Sequence, residues 1–330
     1  MKWAHVTVGP SKWGCQRIVH IGLAGAASVR GRDGSVRIEL LGVRGSTPAP
    51  GPDFVRYGGH TSCLAVTADG DGPCRLVLDG GTGLRSLTTR LGGRPFTGSI
   101  VLTHLHWDHM QGLPFFSAGD RDGASVDLYV PAQDGKSGRD LLAHSFSPPS
   151  FPITPEGLKG EWRFHAMEEG AHDIEGYLVR ARRVEHKGGA THGLRVERDG
   201  VSLAYLPDHA PAAGISPATW DLMRGVDLLV HDAQFLDGER PVAVDYGHAT
   251  VQDCIRLATL CGAGALMLFH HSPARTDDAL DGIVERLPAM VSEAGARVPV
   301  LVAREGDVIE VAGSGQVSVL GAQPLSHGAT

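Results

Sequence analysis

The stretch that decides the fold reads Thr103-His104-Leu105-His106-Trp107-Asp108-His109. It directly follows the apolar, strand-like segment Ser99-Ile100-Val101-Leu102. Residues two apart on an extended chain point the same way, so His104 and His106 can bind one cation. Asp108 and His109, where the chain turns toward a helix, are aimed differently and can bind a second. Because imidazole and carboxylate are ligands of zinc and similar metals, the run predicts a metal site rather than a surface loop rich in histidine by chance.

Composition limits the class of protein. The chain has 330 residues, of which 42% are hydrophobic, and this is enough for a large core. The 45 glycines and 20 prolines suit the many tight turns of a sheet-rich α/β protein. A formal charge of -7, from 37 acidic and 30 basic residues, gives no support for an extended nucleic-acid surface.

The cysteines and the apolar segments predict a cytoplasmic location. The five cysteines are scattered, odd in number and form no CxxC motif, which is typical of reduced, mostly buried thiols. No apolar stretch is long enough to cross a membrane. Residues 18–29 resemble a signal peptide only weakly, because glycines and His20 interrupt them and the charged flank is sparse.

The pattern of strands divides the chain into three parts. Alternation between apolar and polar residues begins at Val36, so residues 1–35 are expected to be a loosely ordered extension. Residues 36–312 are expected to form one domain, and residues 313–330 a polar tail. The Pro- and Ser-rich stretch at 145–155 is expected to be a loop near the entrance of the site.

Two helices are predicted near the carboxyl end. Thr250 and Asp253 have the form of a capping box, which predicts a helix from Thr250 through Leu260 that ends at Gly262. Thr276 is expected to cap the last helix. The apolar face of that helix is predicted to contain Leu280, Ile283, Val284 and Leu287.

Ionisable residues follow one predicted strand after another, at the point where each strand ends. They are Asp79, His104, His186, Asp208, Asp232 and His270. Loops at strand ends, held by a rigid sheet, are where functional sites are built. The sequence therefore predicts that these side chains meet in one site.

The ordered set from His104 to His109, followed by His186, Asp208 and His270, resembles the metallo-β-lactamase superfamily. Within it the chain is most similar to the branch of ribonuclease Z-like tRNA 3′-processing endonucleases and related phosphodiesterases. The glycine-rich segments at 41–48 and 56–63 also resemble that branch. This resemblance covers roughly residues 36–311 and implies an α/β fold that is a four-layer αββα sandwich, with the site on the edge between two sheets.

The resemblance also implies a ligand set. His104, His106 and His186 would bind the first metal, and Asp108, His109 and His270 the second, while Asp208 would bridge both. The cofactors are thus expected to be two divalent ions, with zinc the first expectation and manganese or iron the alternatives.

Three further residues compete for these positions or support them. His192 is the alternative to His186, which matches the family pattern better; His192 would otherwise be an exposed turn residue. His271 is the alternative to His270 and is expected to be a hydrogen-bonding neighbour. Asp79 is expected to orient a ligand rather than to bind metal.

His248 and Asp232 form a second group of candidate functional residues. Residues 247–250 resemble the segment of the ribonuclease Z branch that carries a histidine near the scissile phosphate. Asp232 would keep His248 protonated, so that His248 would act as a general acid; the alternative is an ordinary histidine at a helix start. The residues expected to take part in catalysis are Asp108, Asp208, Asp232 and His248.

These observations predict a binuclear metal-dependent hydrolase, a phosphodiesterase that cleaves a small phosphodiester with a metal-activated hydroxide. The alternatives are hydrolysis of an ester, lactone or thioester at the same site, 3′ processing of tRNA, and a non-catalytic metal-binding scaffold. Nucleic acid is not the favoured partner, because the chain is acidic and lacks a glycine-, proline- and lysine-rich arm for gripping tRNA. No membrane partner is expected, and a homodimer is a reasonable expectation from relatives.

Overall fold

Two β-sheets packed face to face form the centre of the molecule. A computed structural model describes residues 19–21, 34–68, 70, 72–313 and 315–322, with strands and helices numbered in chain order. The first sheet contains, in spatial order, β1 (Val19–Ile21), β16 (Val317–Ala322), β15 (Asp307–Ala312), β2 (Ser35–Gly42), β3 (Cys63–Ala68), β4 (Leu76–Leu78), β5 (Thr97–Val101), β6 (Ser125–Pro131) and β7 (Glu161–Met167).

The second sheet comes mainly from the later part of the chain. In spatial order it contains β14 (Val300–Val302), β13 (Ala265–Phe269), β12 (Leu228–Asp232), β11 (Val201–Leu206), β10 (His192–Arg198), β9 (Tyr177–Arg183) and β8 (Gly170–Ile174). The α-helices are α1 (Leu87–Arg90), α2 (Trp107–Met110), α3 (Gly138–Ala143), α4 (Pro217–Met223), α5 (Arg240–Tyr246), α6 (Val251–Cys261) and α7 (Asp277–Glu293).

Strands that are apolar on both faces produce the layers. In β4, Leu76 and Leu78 pack between the two sheets together with Phe269 of β13. The residue between them, Val77, points to the opposite face and packs under Leu87 of α1. The first sheet is therefore covered by its own helices on the outside.

The second sheet is covered in the same way by helices from the carboxyl half. Leu229 and Leu266 on its outer face pack with Ile255 of α6 and Leu280 of α7. The layer order is helix, sheet, sheet, helix, and the four-layer αββα sandwich predicted from the sequence is confirmed.

The predicted helix boundaries near the carboxyl end are confirmed. The Thr250 side chain accepts from the backbone N–H of Asp253 at 3.2 Å, and α6 ends at Gly262, whose φ is 69° in the left-handed region. Thr276 caps α7. The prediction for Val284 is wrong: it is 43% exposed, because it lies on the solvent side of the stripe formed by Leu280, Ile283 and Leu287.

Parts of the predicted terminal segments belong to the first sheet. Residues 317–322, expected in a polar tail, form β16 because Val317 and Val319 pack on the core while the strand pairs with β15. Val19–Ile21, expected in the loosely ordered extension, form β1 and pair with β16. Residues 1–18, 22–33 and 323–330 lie outside the described residues, as does the rest of the prediction for the two ends.

Several short elements escaped prediction. Strand β8 carries His172 and Asp173 at the sheet edge, where one face needs no apolar residues. Helices α3, α4 and α5 are six or seven residues long, which is too short for a clear helical period. Among the described residues, no helix is both long and apolar enough to cross a membrane.

Candidate metal centre

The predicted set of ionisable residues lies at one rim of the sandwich. Strands β4 and β5 run parallel in the first sheet, and β11, β12 and β13 run parallel in the second. Because the carboxyl ends of parallel strands meet at the same edge, the loops that follow them converge. Residues from both sheets therefore face one cleft of about 570 Å³.

One group of candidate ligands consists of His104, His106 and His186. Their ligand atoms lie within 4.8 Å of one another. The Nε2 atom of His186 is 3.3 Å from Nδ1 of His106, and the ring centroids of His104 and His106 are 4.4 Å apart. The structure thus brings the three predicted first-metal histidines together, although His186 is 80 residues away from His106 in the chain.

A second group consists of Asp108, His109 and His270. Nε2 of His270 lies 3.1 Å from Oδ2 of Asp108 and 3.3 Å from Nε2 of His109. His106 precedes α2 in extended conformation, and Asp108 and His109 lie within this helix. Their side chains are directed at His270 and not at His106 and His186, although the rings of His104 and His109 are 4.2 Å apart. This is the change of direction that the sequence predicted.

Asp208 lies between the two groups. Its Oδ1 atom is 3.5 Å from Nε2 of His186, whereas its Oδ2 atom is 2.9 Å from Nε2 of His109 and 3.3 Å from Nε2 of His270. The two oxygens of one carboxylate therefore face different histidine groups. This is the position that a ligand shared by two cations requires.

The donor atoms fit a pair of divalent cations. Nε2 of His104 is buried and has no hydrogen-bond partner among the described residues. Two imidazole Nε2 atoms, those of His109 and His270, face each other at 3.3 Å, where only one can carry a proton. Divalent cations would satisfy these lone pairs at once, since zinc-like ions bind neutral imidazole and ionised carboxylate.

The electrostatics favour the same interpretation. Burial lowers the pKa of His104 well below its usual value, so this ring is neutral and able to bind metal. Burial opposes ionisation of Asp108, but His109 and His270 outweigh it and hold the pKa of this carboxyl below its usual range. Burial lowers the pKa of His109, but Asp108 and Asp208 outweigh this effect and raise that pKa well above its usual value. The carboxylates thus attract positive charge to this point.

Neighbouring groups orient the candidate ligands. Asp79 lies outside the groups: its Oδ2 is 2.8 Å from Nδ1 of His109, and it accepts hydrogen bonds from the backbone N–H of Thr103 at 2.7 Å and the hydroxyl of Tyr205 at 2.9 Å. His186 places Nδ1 2.6 Å from the carbonyl oxygen of Gly247. Because these contacts engage Nδ1 of His109 and of His186, the Nε2 atoms of both rings are directed at the proposed metal centre.

The glycine-rich segment at residues 41–48 borders the site on one side. A Cβ atom on Gly45 would lie 2.4 Å from the ring of His270, so only glycine fits here. The next residue, Ser46, donates its backbone N–H to Oδ2 of Asp108 at 2.6 Å. Its hydroxyl is 3.1 Å from Nε2 of Gln234, a contact that the sequence gave no means of predicting.

Two histidines that competed for ligand positions point elsewhere. His271 is buried and lies 2.9 Å from the carbonyl oxygen of Ala303. His192 belongs to none of the ligand groups found in the described part of the chain. The expectation that it would be an exposed turn residue is wrong, because it begins β10, is 3% exposed and donates its backbone N–H to Thr103. Burial lowers the pKa of His192 to about 4.

His248 and Asp232 form a close pair at the side of the cleft. Nδ1 of His248 is 2.8 Å from Oδ2 of Asp232, whose other oxygen accepts the backbone N–H of Gln234 at 3.0 Å. Burial lowers the pKa of His248, but Asp232 outweighs this effect and raises that pKa to about 9. Since Nδ1 faces Asp232, Nε2 is the ring atom left for a ligand in the cleft.

Other residues of the cleft could not be assigned from the sequence. Lys187 and Tyr246 line it, and the Lys187 ammonium lies 5.7 Å from the centre of the Tyr246 ring. Arg275 pairs with Glu239 at 2.7 Å. His209 is buried, with Nδ1 2.9 Å from Nε2 of His231.

Comparison with known proteins identifies the superfamily of the chain. Residues 75–271 match the family model described as beta-lactamase superfamily domain, and the chain belongs to this superfamily. A ribonuclease Z of Haloarcula marismortui is 25% identical over 296 residues, which are 75% of this chain and 90% of that protein.

Two solved structures show the same fold. A diphosphatase from the PhnP family has a TM-score of 0.60 and 21% identity, covering 84% of this chain and 97% of its own. The short form of human tRNase Z has a TM-score of 0.57 and 21% identity, covering 83% and 98%. The predicted superfamily is confirmed. The predicted class, a hydrolase with the metallo-β-lactamase fold, is that of these relatives.

Proposed function

We propose that the chain is a binuclear metal-dependent phosphodiesterase that hydrolyses a small phosphodiester. The observation that carries the proposal is the position of Asp208, with one oxygen toward the first histidine group and the other toward the second. A carboxylate in this place reduces the repulsion between two nearby dications. A site for two cations beside a protonated imidazole suits the displacement of an alkoxide from phosphorus.

The proposed ligands divide between the two ions. His104, His106 and His186 would hold one ion; Asp108, His109 and His270 would hold the other; Asp208 would contact both. When bound, the two divalent ions would supply activation of water and stabilisation of negative charge on the phosphoryl oxygens. Zinc fits the mixture of imidazole and carboxylate, and manganese or iron would also be accepted.

The chain itself would supply the proton for the leaving group. With Nδ1 held by Asp232, a protonated His248 presents the N–H of Nε2 to the cleft. This proton would pass to the departing alkoxide, while Asp232 stabilises the imidazolium before the transfer. Hydrolysis of a thioester at the same ions would depend less on this pair, because a thiolate leaves without a proton more readily than an alkoxide.

A metal and activity measurement tests the proposal. The full chain is stripped with a chelator, reloaded with zinc or manganese, and assayed on bis(4-nitrophenyl) phosphate and on 4-nitrophenyl butyrate. Two bound ions and preference for the diester are expected, with both lost in Asp208→Ala. The control is Asp221→Ala, whose carboxylate is 71% exposed on α4. Turnover that survives metal removal, or that prefers the ester, would overturn the proposal.

A second candidate function is 3′ processing of precursor tRNA. The similarity to the ribonuclease Z of Haloarcula marismortui favours it. The net charge of -7 opposes it, because binding to a phosphate backbone depends on basic side chains. Cleavage of precursor tRNA with a higher kcat/KM than that of any small diester would establish this function instead.

A further inference from the structure

Trp107 and Phe115 are large aromatic side chains that are exposed near the cleft. Trp107 is 71% exposed and Phe115 is 60% exposed. Trp107 lies between His106 and Asp108 in the chain, so its position is fixed by two of the proposed metal ligands. Large apolar side chains left in water next to a site are typical of a surface that binds a ligand.

Trp107 also borders a second cavity of about 400 Å³, which we name the aromatic groove. It is lined by Trp107, Met110, Gln111, Pro114, Phe115, Ser145, Phe146, Ser150 and Phe151. None of these side chains is ionisable. The ring of Phe151 meets those of Phe115 and Phe146 edge to face, with centroids 5.9 Å and 4.7 Å away, so the groove has a packed aromatic wall.

The groove and the metal cleft are neighbours on either side of one residue, because Trp107 lines both. A group in the groove can therefore be attached to a phosphate in the cleft. The 145–151 part of the groove belongs to the loop that the sequence placed near the site entrance. The groove is thus positioned to receive one substituent of a phosphodiester.

The lining indicates which substituent fits. Aromatic faces bind planar rings by stacking, and this interaction tolerates different ring systems. Gln111 and Ser150 add exposed hydrogen-bonding groups that the polar edge of a base can use. The absence of charge among the lining residues excludes a second phosphate as the occupant.

We propose that the aromatic groove binds a nucleobase of the substrate, stacked on Trp107, while the attached phosphodiester lies at the proposed metal centre. This inference rests on the proposed function, and it names the substrate class as a phosphodiester of a nucleoside. Trp107 would contribute to substrate specificity by contacting the base, and it would not take part in bond cleavage.

The test compares two substrates that share a leaving group. Thymidine 5′-(4-nitrophenyl phosphate) and its analogue without the base are assayed with zinc-loaded enzyme. Wild type is expected to prefer the base-bearing substrate by about 10-fold in kcat/KM, mainly through KM. Trp107→Ala should remove that preference by lowering kcat/KM for the base-bearing substrate far more than for the baseless one, while Trp107→Phe should retain most of the preference. Leu260→Ala, 74% exposed on α6, is the control.

The outcomes separate the groove from the proposed function. Equal rates on the two substrates in wild type, or an equal loss on both in Trp107→Ala, would overturn the groove assignment. If neither diester is hydrolysed, the proposed function fails, and binding then decides. Calorimetry with thymidine 5′-monophosphate and metal-free protein should show about 10-fold weaker binding to Trp107→Ala. Equal affinity would again overturn the assignment.

Discussion

Asp79 lies directly behind His109, with Oδ2 of the carboxylate 2.8 Å from Nδ1 of the ring. Both side chains are fully buried. Asp79 also adopts a φ of 61°, a left-handed conformation that asparagine tolerates nearly as well as aspartate. The carboxylate is therefore held in place to direct Nε2 of His109 at the proposed ions.

Replacing Asp79 by Asn should weaken metal binding without unfolding the chain. Asparagine keeps the backbone conformation and can accept the hydrogen bond from Thr103, but it removes the negative charge behind His109. We expect the metal affinity to fall by about 10- to 100-fold, measured by competition with a chromophoric chelator. Tyr205→Phe, which removes only one hydrogen bond to Asp79, should have a smaller effect. Unchanged affinity in Asp79→Asn would show that Asp79 does not orient the ligand.

The His248–Asp232 pair should matter most for poor leaving groups. A general acid assists the departure of an alkoxide, whereas 4-nitrophenolate leaves without a proton. His248→Asn is expected to lower kcat by about 100-fold or more on an alkyl diester and by much less on an aryl diester. Asp232→Asn should show the same pattern in weaker form. Equal losses on both diesters would indicate a structural role for the pair.

His186 and His192 should differ in their effect on metal content. His186→Ala removes a nitrogen from the first group, so we expect the loss of about one ion per chain by elemental analysis. His192→Gln should keep both ions, because His192 belongs to none of the ligand groups in the described part of the chain. Thermal melting of both variants checks that they fold. Loss of metal in His192→Gln with metal retained in His186→Ala would reverse the assignment.

Asp307 gives a prediction of stability against pH, away from the metal centre. Burial raises the pKa of Asp307 to about 6, although Arg304 opposes it. An unfolded carboxyl ionises near pH 4, so the folded chain holds the proton longer and its stability falls as the pH rises from 4 to 6. Asp307→Asn should therefore stabilise the chain by about 2 kcal/mol at pH 8 and have no effect at pH 4, as measured by urea unfolding. A gain that is equal at both pH values would contradict this assignment.

The central part of the fold and site could be predicted because its signals are local. The histidine run from His104 to His109 is contiguous, and Asp208 and His270 each follow an apolar strand that is buried on both faces. His186 follows β9, in which buried residues alternate with more exposed ones. Strand ends of this kind can only gather at one rim when the strands are parallel. Sequence order and strand position together thus identified the residues that meet there.

What could not be predicted depends on tertiary packing. Gln234 reaches Ser46 across 188 residues, and Tyr246 approaches Lys187 from a helix too short to recognise. His192 is buried because Thr103 extends the pairing of its strand by one backbone hydrogen bond. None of these contacts has a periodic or motif signal, since each joins residues that are far apart in the chain.

The two sheets contribute unequally but jointly to each proposed cation. Residues 104–109 follow the first sheet, whereas His186, Asp208 and His270 follow the second. Each ion would therefore be bound only after both halves of the polypeptide have folded and docked. Metal binding would then hold the two sheets together at the open end of the sandwich. After the metal is removed by a chelator, the amide hydrogens at that end should be the first in the molecule to exchange.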